Sequence, residues 1–210
     1  MTEIGIIGAG DQALETVSYI EANQDSVLFY AIGKDFIKGR PGFIELESPS
    51  EAFAAAPVVT AVGSPLLRKK LAEQWPGTNF TNVIAQPTYI DKSATLGMDV
   101  TVGPFAFVGP RAAIGDHCTI NAGSLVHHGC QLADYVTISP GVKMGGNVVI
   151  GEGAFIGIGA TIKNDVKIAG GVAVGAGAVV INDLDTPNAT YVGNPAKLIK
   201  QRDGWLDAIK

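Results

Sequence analysis

The chain has 210 residues, 47% of them hydrophobic and 17% charged, with a net charge of −5. It is long and apolar enough to bury the core of one large or two small domains, and its charge gives no basic field for nucleic acid. No basic start followed by an apolar run, and no apolar stretch near the roughly 18 residues of a membrane span, is visible, so no membrane insertion and a cytoplasmic location are expected.

The first element is strand, tight turn and helix: "EIGII", the turn "GAGDQA", then apolar residues at helical spacing through Ala13, Leu14, Val17 and Ile20. Further strands fit "SVLFYAIG" and "APVVTAVGS", and Pro65 opens a helix over "PLLRKKLAEQW". Alternating strand and helix over residues 1–82 implies a small parallel α/β domain, about half of a dinucleotide-binding fold.

From Ile84 an aliphatic residue recurs at every sixth position through Val174, sixteen times without a slip. The fifth member of each hexad is small or β-branched, as at Ala94, Cys118, Ser124 and Cys130, and the second is often Gly. A six-residue period suits a short strand followed by a bend, three times per eighteen-residue coil, with backbone hydrogen bonds between coils about 4.8 Å apart. Residues 83–198 are therefore expected to form a parallel β-helix of about five coils, and 199–210 a short amphipathic helix. Cys118 and Cys130 read as reduced packing residues.

The stretch "SLVHHGC" holds two of the chain's three histidines. In its hexad Val126 points inward and Cys130 fills the corner, which leaves His127 and His128 on the outward-turning portion. Eighteen residues on, Gly146 is expected directly over His128, and a glycine beside an imidazole leaves a backbone N–H bare for a developing oxyanion. A metal reading fails on spacing: His117 lies at a different hexad position, so the three histidines cannot converge on one ion. The turn "GAGDQA" can hold a diphosphate on its amides and helix N-terminus, although Asp11 opposes an anion; the alternative is a structural turn without a ligand.

These motifs, with "VGSPLLR", "ISPGVKMGGNVVIG", "AFIGIGATI" and "YVGNPAK", resemble the sialic acid O-acetyltransferase and bacillosamine-pathway N-acetyltransferase family along essentially the whole chain. The resemblance implies a nucleotide-sugar-binding α/β domain joined to a left-handed β-helix, which departs from the usual right-handed crossover. It implies a homotrimer that binds acetyl-CoA between neighbouring β-helices, with no metal and a sugar or nucleotide-sugar acceptor. It assigns His128 as general base, the Gly146 amide to the acetyl group, and Asn121 to the acceptor. His127, Gly10, Asp11, Gln12, Asp35, Gly63 and Arg68 complete the acceptor set. Thr137, Ile158, Ala176, Gly193, Pro195 and Lys197, together with Gly146, form the acetyl-CoA set.

The sequence departs from that family where an acidic residue usually follows the base, here Gly129; where a second His precedes Ser-Pro-Gly, here Thr137; and in the first turn, here Gly10-Asp11-Gln12. The expected activity is acetyl transfer from acetyl-CoA to a nucleotide-linked amino sugar in surface glycan or polysaccharide assembly. The alternatives are O-acetylation of sialic acid or a related sugar and a non-catalytic trimeric carbohydrate-binding scaffold.

Overall fold

The computed structural model describes residues 1–201. Its N-terminal part runs β1 (Glu3–Ile7), α1 (Asp11–Ala22), β2 (Ser26–Ile32), α2 (Lys34–Ile37), β3 (Phe43–Glu45), α3 (Glu51–Ala55), β4 (Val58–Thr60) and α4 (Pro65–Gln74). The four strands are parallel in the order β3-β2-β1-β4. Helix α1 turns Ala13, Thr16, Tyr19 and Ile20 inward, and Ile4, Ile6 and Val59 from the sheet share that core. Helix α4 starts where Ser64 accepts a hydrogen bond from the Leu67 amide and Pro65 occupies the first turn, where its missing N–H has no intrahelical partner to lose. The short β3, α2 and α3 have too few residues to show a period and were not foreseen from the sequence.

Strand Val83–Ile84 begins a left-handed parallel β-helix of three faces. The first face stacks the strands at 83–84, 101–102, 119–120, 137–138, 155–156 and 173–174; the second those at 89–90, 107–108, 125–126, 143–144, 161–162 and 179–180; the third those at 95–96, 113–114, 131–132, 149–150 and 167–168. Each residue sits over the one eighteen earlier, Leu125 between Phe107 and Lys143 for example. The aliphatic first members, from Val102 to Val180, fill the interior together with the small fifth members. The fourth member of every hexad from Asp99 to Gly177 has a positive φ, between +56° and +69°. Each corner thus turns through one left-handed residue, the conformation that favours Gly, Asn and Asp.

The first face continues into Ala189–Val192, which pairs antiparallel with Lys197–Gln201. The helix expected over 199–210 is therefore corrected at its start: residues 199–201 complete a strand that finds its backbone partners along 189–192, and 202–210 lie outside the described residues.

The two parts meet through a buried polar junction. Arg68 has no exposed surface; its Nε donates to the His117 carbonyl at 2.7 Å, and its two terminal nitrogens donate to the Val62 carbonyl at 2.7 Å, the Tyr135 carbonyl at 2.8 Å and Thr137 Oγ1 at 2.9 Å. Thr137 Oγ1 in turn donates to the Gly63 carbonyl at 3.0 Å. Beside them the Asp99 carboxylate accepts from the Thr60 amide at 2.7 Å and lies 2.6 Å from His117 Nδ1, while the His117 ring stacks on Tyr135 at 4.7 Å. Burial brings the Arg68 guanidinium down to about 10, which leaves it cationic at neutral pH. Arg68 is thus not at an acceptor site, nor Thr137 in a cofactor groove: both side chains are committed to joining the parts.

Candidate active site

His127 and His128 follow strand Leu125–Val126 and stand, both exposed, at the corner between the second and third faces. The corner puts the His128 ring over Gly146: a β-carbon built on Gly146 would lie 2.6 Å from His128 Nε2 and 2.8 Å from Nδ1. Only glycine leaves that ring its place. The Gly146 N–H donates to no backbone carbonyl among the described residues. Imidazole nitrogens and an uncommitted amide on one corner are what proton removal beside a developing oxyanion requires. His127 turns the other way, its ring 5.6 Å from Phe107, which stacks on Tyr89 at 5.2 Å.

Ile158 and Ala176 line one apolar groove of about 360 Å³ with Pro140, Phe155 and Gly157. That groove follows the strands of the first face, at the corner between the first and second faces. Asn121 belongs to this corner too: it follows Thr119–Ile120, is buried, and its Nδ2 donates to the Ile138 carbonyl at 3.0 Å. Within one chain Asn121 and His128 therefore stand at opposite ends of strand Leu125–Val126, not side by side. Gly193, Pro195 and Lys197 are exposed in and after the turn joining the last two strands, where Val179 N donates to the Gly193 carbonyl at 3.0 Å.

A pocket of about 580 Å³ opens at the C-terminal ends of β1, β2 and β4, lined by Gly8, Gly10, Asp11, Gln12, Gly33 and Gly63 among others. This is where open parallel sheets take ligands. Phe36 and Arg40 also line it, and Phe36 is 69% exposed. Gln12 Nε2 is buried there without a hydrogen-bond partner. Asp35, expected at this site, is exposed in α2 but does not line the pocket, because its neighbour Phe36 takes that side of the turn. Phe36 and Arg40 were missed in the sequence because α2 is too short to carry a period; the one available signal was an aromatic residue three positions after the glycine that follows β2.

Cys118 has no exposed surface and its thiol donates to the Ala133 carbonyl at 3.1 Å; burial pushes it up to about 12. Burial raises the Cys130 thiol as well, and it donates to the Gly145 carbonyl at 3.2 Å. Neither is poised as a nucleophile.

The likeness to known proteins, rather than any one corner, shows an acetyltransferase built on a left-handed β-helix of hexapeptide repeats. The family model for the bacterial transferase hexapeptide (six repeats) matches residues 93–128 and 112–146. Three solved structures are similar over nearly the whole chain. One is PerB from Caulobacter crescentus in complex with CoA and GDP-perosamine: 28% identity, 95% of this chain and 98% of that one, TM-score 0.84. A second is the acetyltransferase domain of PglB from Neisseria gonorrhoeae in complex with acetyl coenzyme A: 28%, 94% and 98%, TM-score 0.83. WeeI from Acinetobacter baumannii matches at 25% identity over 95% of this chain and all of that one, TM-score 0.77. Among curated protein sequences none matches.

Proposed function

We propose that the protein transfers the acetyl group of acetyl-CoA to the amine of a nucleotide-linked amino sugar, in the cytoplasm, as a step of surface glycan or polysaccharide assembly. The juxtaposition of His128 and Gly146 carries this reading, because it supplies a base and an oxyanion donor within one corner. Acetyl-CoA supplies an activated thioester carbonyl. His128 accepts the proton lost by the acceptor nitrogen as the C–N bond forms, and returns it to the departing thiolate sulfur as the C–S bond breaks. The Gly146 N–H donates to the carbonyl oxygen as negative charge gathers there. Asn121 orients the acceptor. The apolar wall of Ile158 and Ala176 suits a pantetheine arm, and Gly193, Pro195 and Lys197 border the nucleotide end. The pocket above β1, β2 and β4 takes the acceptor's nucleotide, with Phe36 as a stacking surface for the base and the buried Gln12 amide as a free donor.

The working unit is a homotrimer. In one chain the whole second face separates the His128 corner from the corner of Asn121, Ile158 and Ala176. A threefold arrangement with the second faces turned to the axis puts the first corner of one copy against the other corner of its neighbour. That face carries Tyr89, Phe107 and Leu125 outward along its lower half, apolar enough to pack. The test is CoA release on a panel of UDP-, dTDP- and GDP-linked 3- and 4-amino sugars, with sialic acid as the hydroxyl control. Fast turnover of one amine is expected; rapid turnover of sialic acid with silence on every amine overturns the reading in favour of O-acetylation.

A further inference from the structure

Position 129 is one of the left-handed corners, with φ +69°, and the residue following the base is a glycine that offers it no carboxylate. The space a side chain there would take is occupied: a β-carbon on Gly129 would run into Asn147 Oδ1 from the coil above. Asn147 is bound to the site in two ways. Its backbone N–H donates to the carbonyl of His128 itself at 2.9 Å, and its side-chain Nδ2 donates to Asp165 Oδ1 at 3.0 Å. Asp165, one coil further up the same corner, donates its own backbone N–H to the Gly146 carbonyl at 2.9 Å. Asn164 Nδ2 holds its second oxygen. The two corner residues above His128 are therefore each zipped to one half of the His128–Gly146 pair and joined to each other by their side chains.

We propose that Asn147 and Asp165 are the positioning residues of the base, Asp165 supplying from two coils away the negative charge that the residue after His128 lacks. This rests on the reading of His128 as general base. A carboxylate near an imidazole favours the imidazolium formed during proton transfer, and raises the basicity of the resting ring. The Asp165 carboxyl is held below the usual carboxylate range, by the Asn147 hydrogen bond first and then by Asn164, with the positive charges of Lys163 and His128 acting in the same direction. It is therefore ionised throughout the range in which an imidazole titrates. The other charged or titratable groups along this corner are Asp91 and Lys92 two coils below, Arg111 on the coil below, His127 and the Cys130 thiol beside the base, Lys163, and Asp183 above, whose carboxylate accepts from the Lys167 amide at 2.8 Å. Among the described residues Asp165 alone is tied to the side chain that fills the space over Gly129.

The test uses Asp165→Asn, since asparagine tolerates the left-handed corner at φ +62° and still accepts from Asn147. At low ionic strength the acidic limb of the kcat/KM–pH profile should move down by about 0.3 pH unit, because a ring without its carboxylate loses its proton more readily. Turnover on the plateau should fall by up to about twofold as the base weakens. Because the pair is solvent-exposed, about 0.5 M NaCl should shrink the difference between wild type and variant. Adding Asn147→Asp to Asp165→Asn returns a carboxylate to the corner above His128 and should restore the limb. A limb that stays within 0.1 pH unit of the wild type in Asp165→Asn, or a double variant that restores nothing, overturns the inference. His128→Ala tells the two failures apart: retained turnover there sinks the base itself, whereas an inactive His128→Ala beside an unmoved Asp165→Asn limb sinks only the positioning pair.

Discussion

Replacing Gly146 by alanine tests the catalytic geometry without touching a side chain that does chemistry. The added methyl would stand 2.6 Å from His128 Nε2 and 2.8 Å from Nδ1. Carbon contacts become comfortable only near 3.5 Å, so the ring must retreat by roughly 1 Å. A misplacement of that size in a reacting group lowers turnover by about 100-fold, near 2.7 kcal/mol of barrier. The fold should not suffer. Gly146 does not have the left-handed φ that alanine resists, His128 is exposed and has solvent to swing into, and a Gly→Ala change at a compatible position narrows the unfolded ensemble by about 0.4–1 kcal/mol. The assay is CoA thiol release under saturating acetyl-CoA, paired with a thermal melt of the same sample. A Gly146→Ala enzyme with kcat within threefold of wild type, or one whose loss of activity is matched by a lowered melting temperature, would refute the placement of His128 over the Gly146 amide.

Four further outcomes follow from the same geometry. His128→Ala should lower turnover by about 10²- to 10⁴-fold with acetyl-CoA binding kept, and His127→Ala far less, as steady-state kinetics on the two variants would show. Ile158→Asp puts a charge into the apolar groove and should raise KM for acetyl-CoA at least about tenfold, with kcat less affected, in an initial-rate titration. Arg68→Met strips the bonds to the carbonyls of His117, Val62 and Tyr135; it should cost about 3–5 kcal/mol in urea unfolding. Between pH 9 and 10 the unfolded chain releases the Cys118 proton while the folded chain, its thiol pushed up to about 12, retains it. Stability therefore falls as pH rises, approaching about 1.4 kcal/mol per pH unit, and Cys118→Ala should flatten that slope by the same amount.

The solenoid was legible because every coil repeats the same spatial problem, so an inward aliphatic every sixth residue writes its period into the chain. Stacking at eighteen residues likewise sets Gly146 over His128 from the chain's own period. What stayed hidden depends on which corner of the triangle a residue occupies. Asn121 stands seven positions before His128, and that separation reads as adjacency along the chain although six residues carry it to the next corner. Arg68 and Thr137 were misassigned for a different reason. An arginine in a glycine-rich strand-to-helix segment has the composition of a binding loop, and its partners, His117 and Tyr135, lie 49 and 67 residues away with backbone carbonyls that leave no mark in sequence. The tail strand Lys197–Gln201 has no alternation to announce it; its residues are exposed along their length and find their conformation only through the partner strand.

The junction at Arg68 also governs how the pocket can move. Val62 and Gly63 form part of the pocket wall, and the same guanidinium and hydroxyl that hold their carbonyls are anchored in the coils at 117 and 135–137. Those bonds tie the wall directly to the solenoid. The pocket behaves as a jig bolted to a rigid rod, and any ligand it grips is presented to the solenoid at one fixed offset. Exchange of specificity by grafting another α/β part onto this rod would need the arginine and its socket of carbonyls to travel together, since a transplanted pocket without them would be free to wander by more than a reacting centre tolerates.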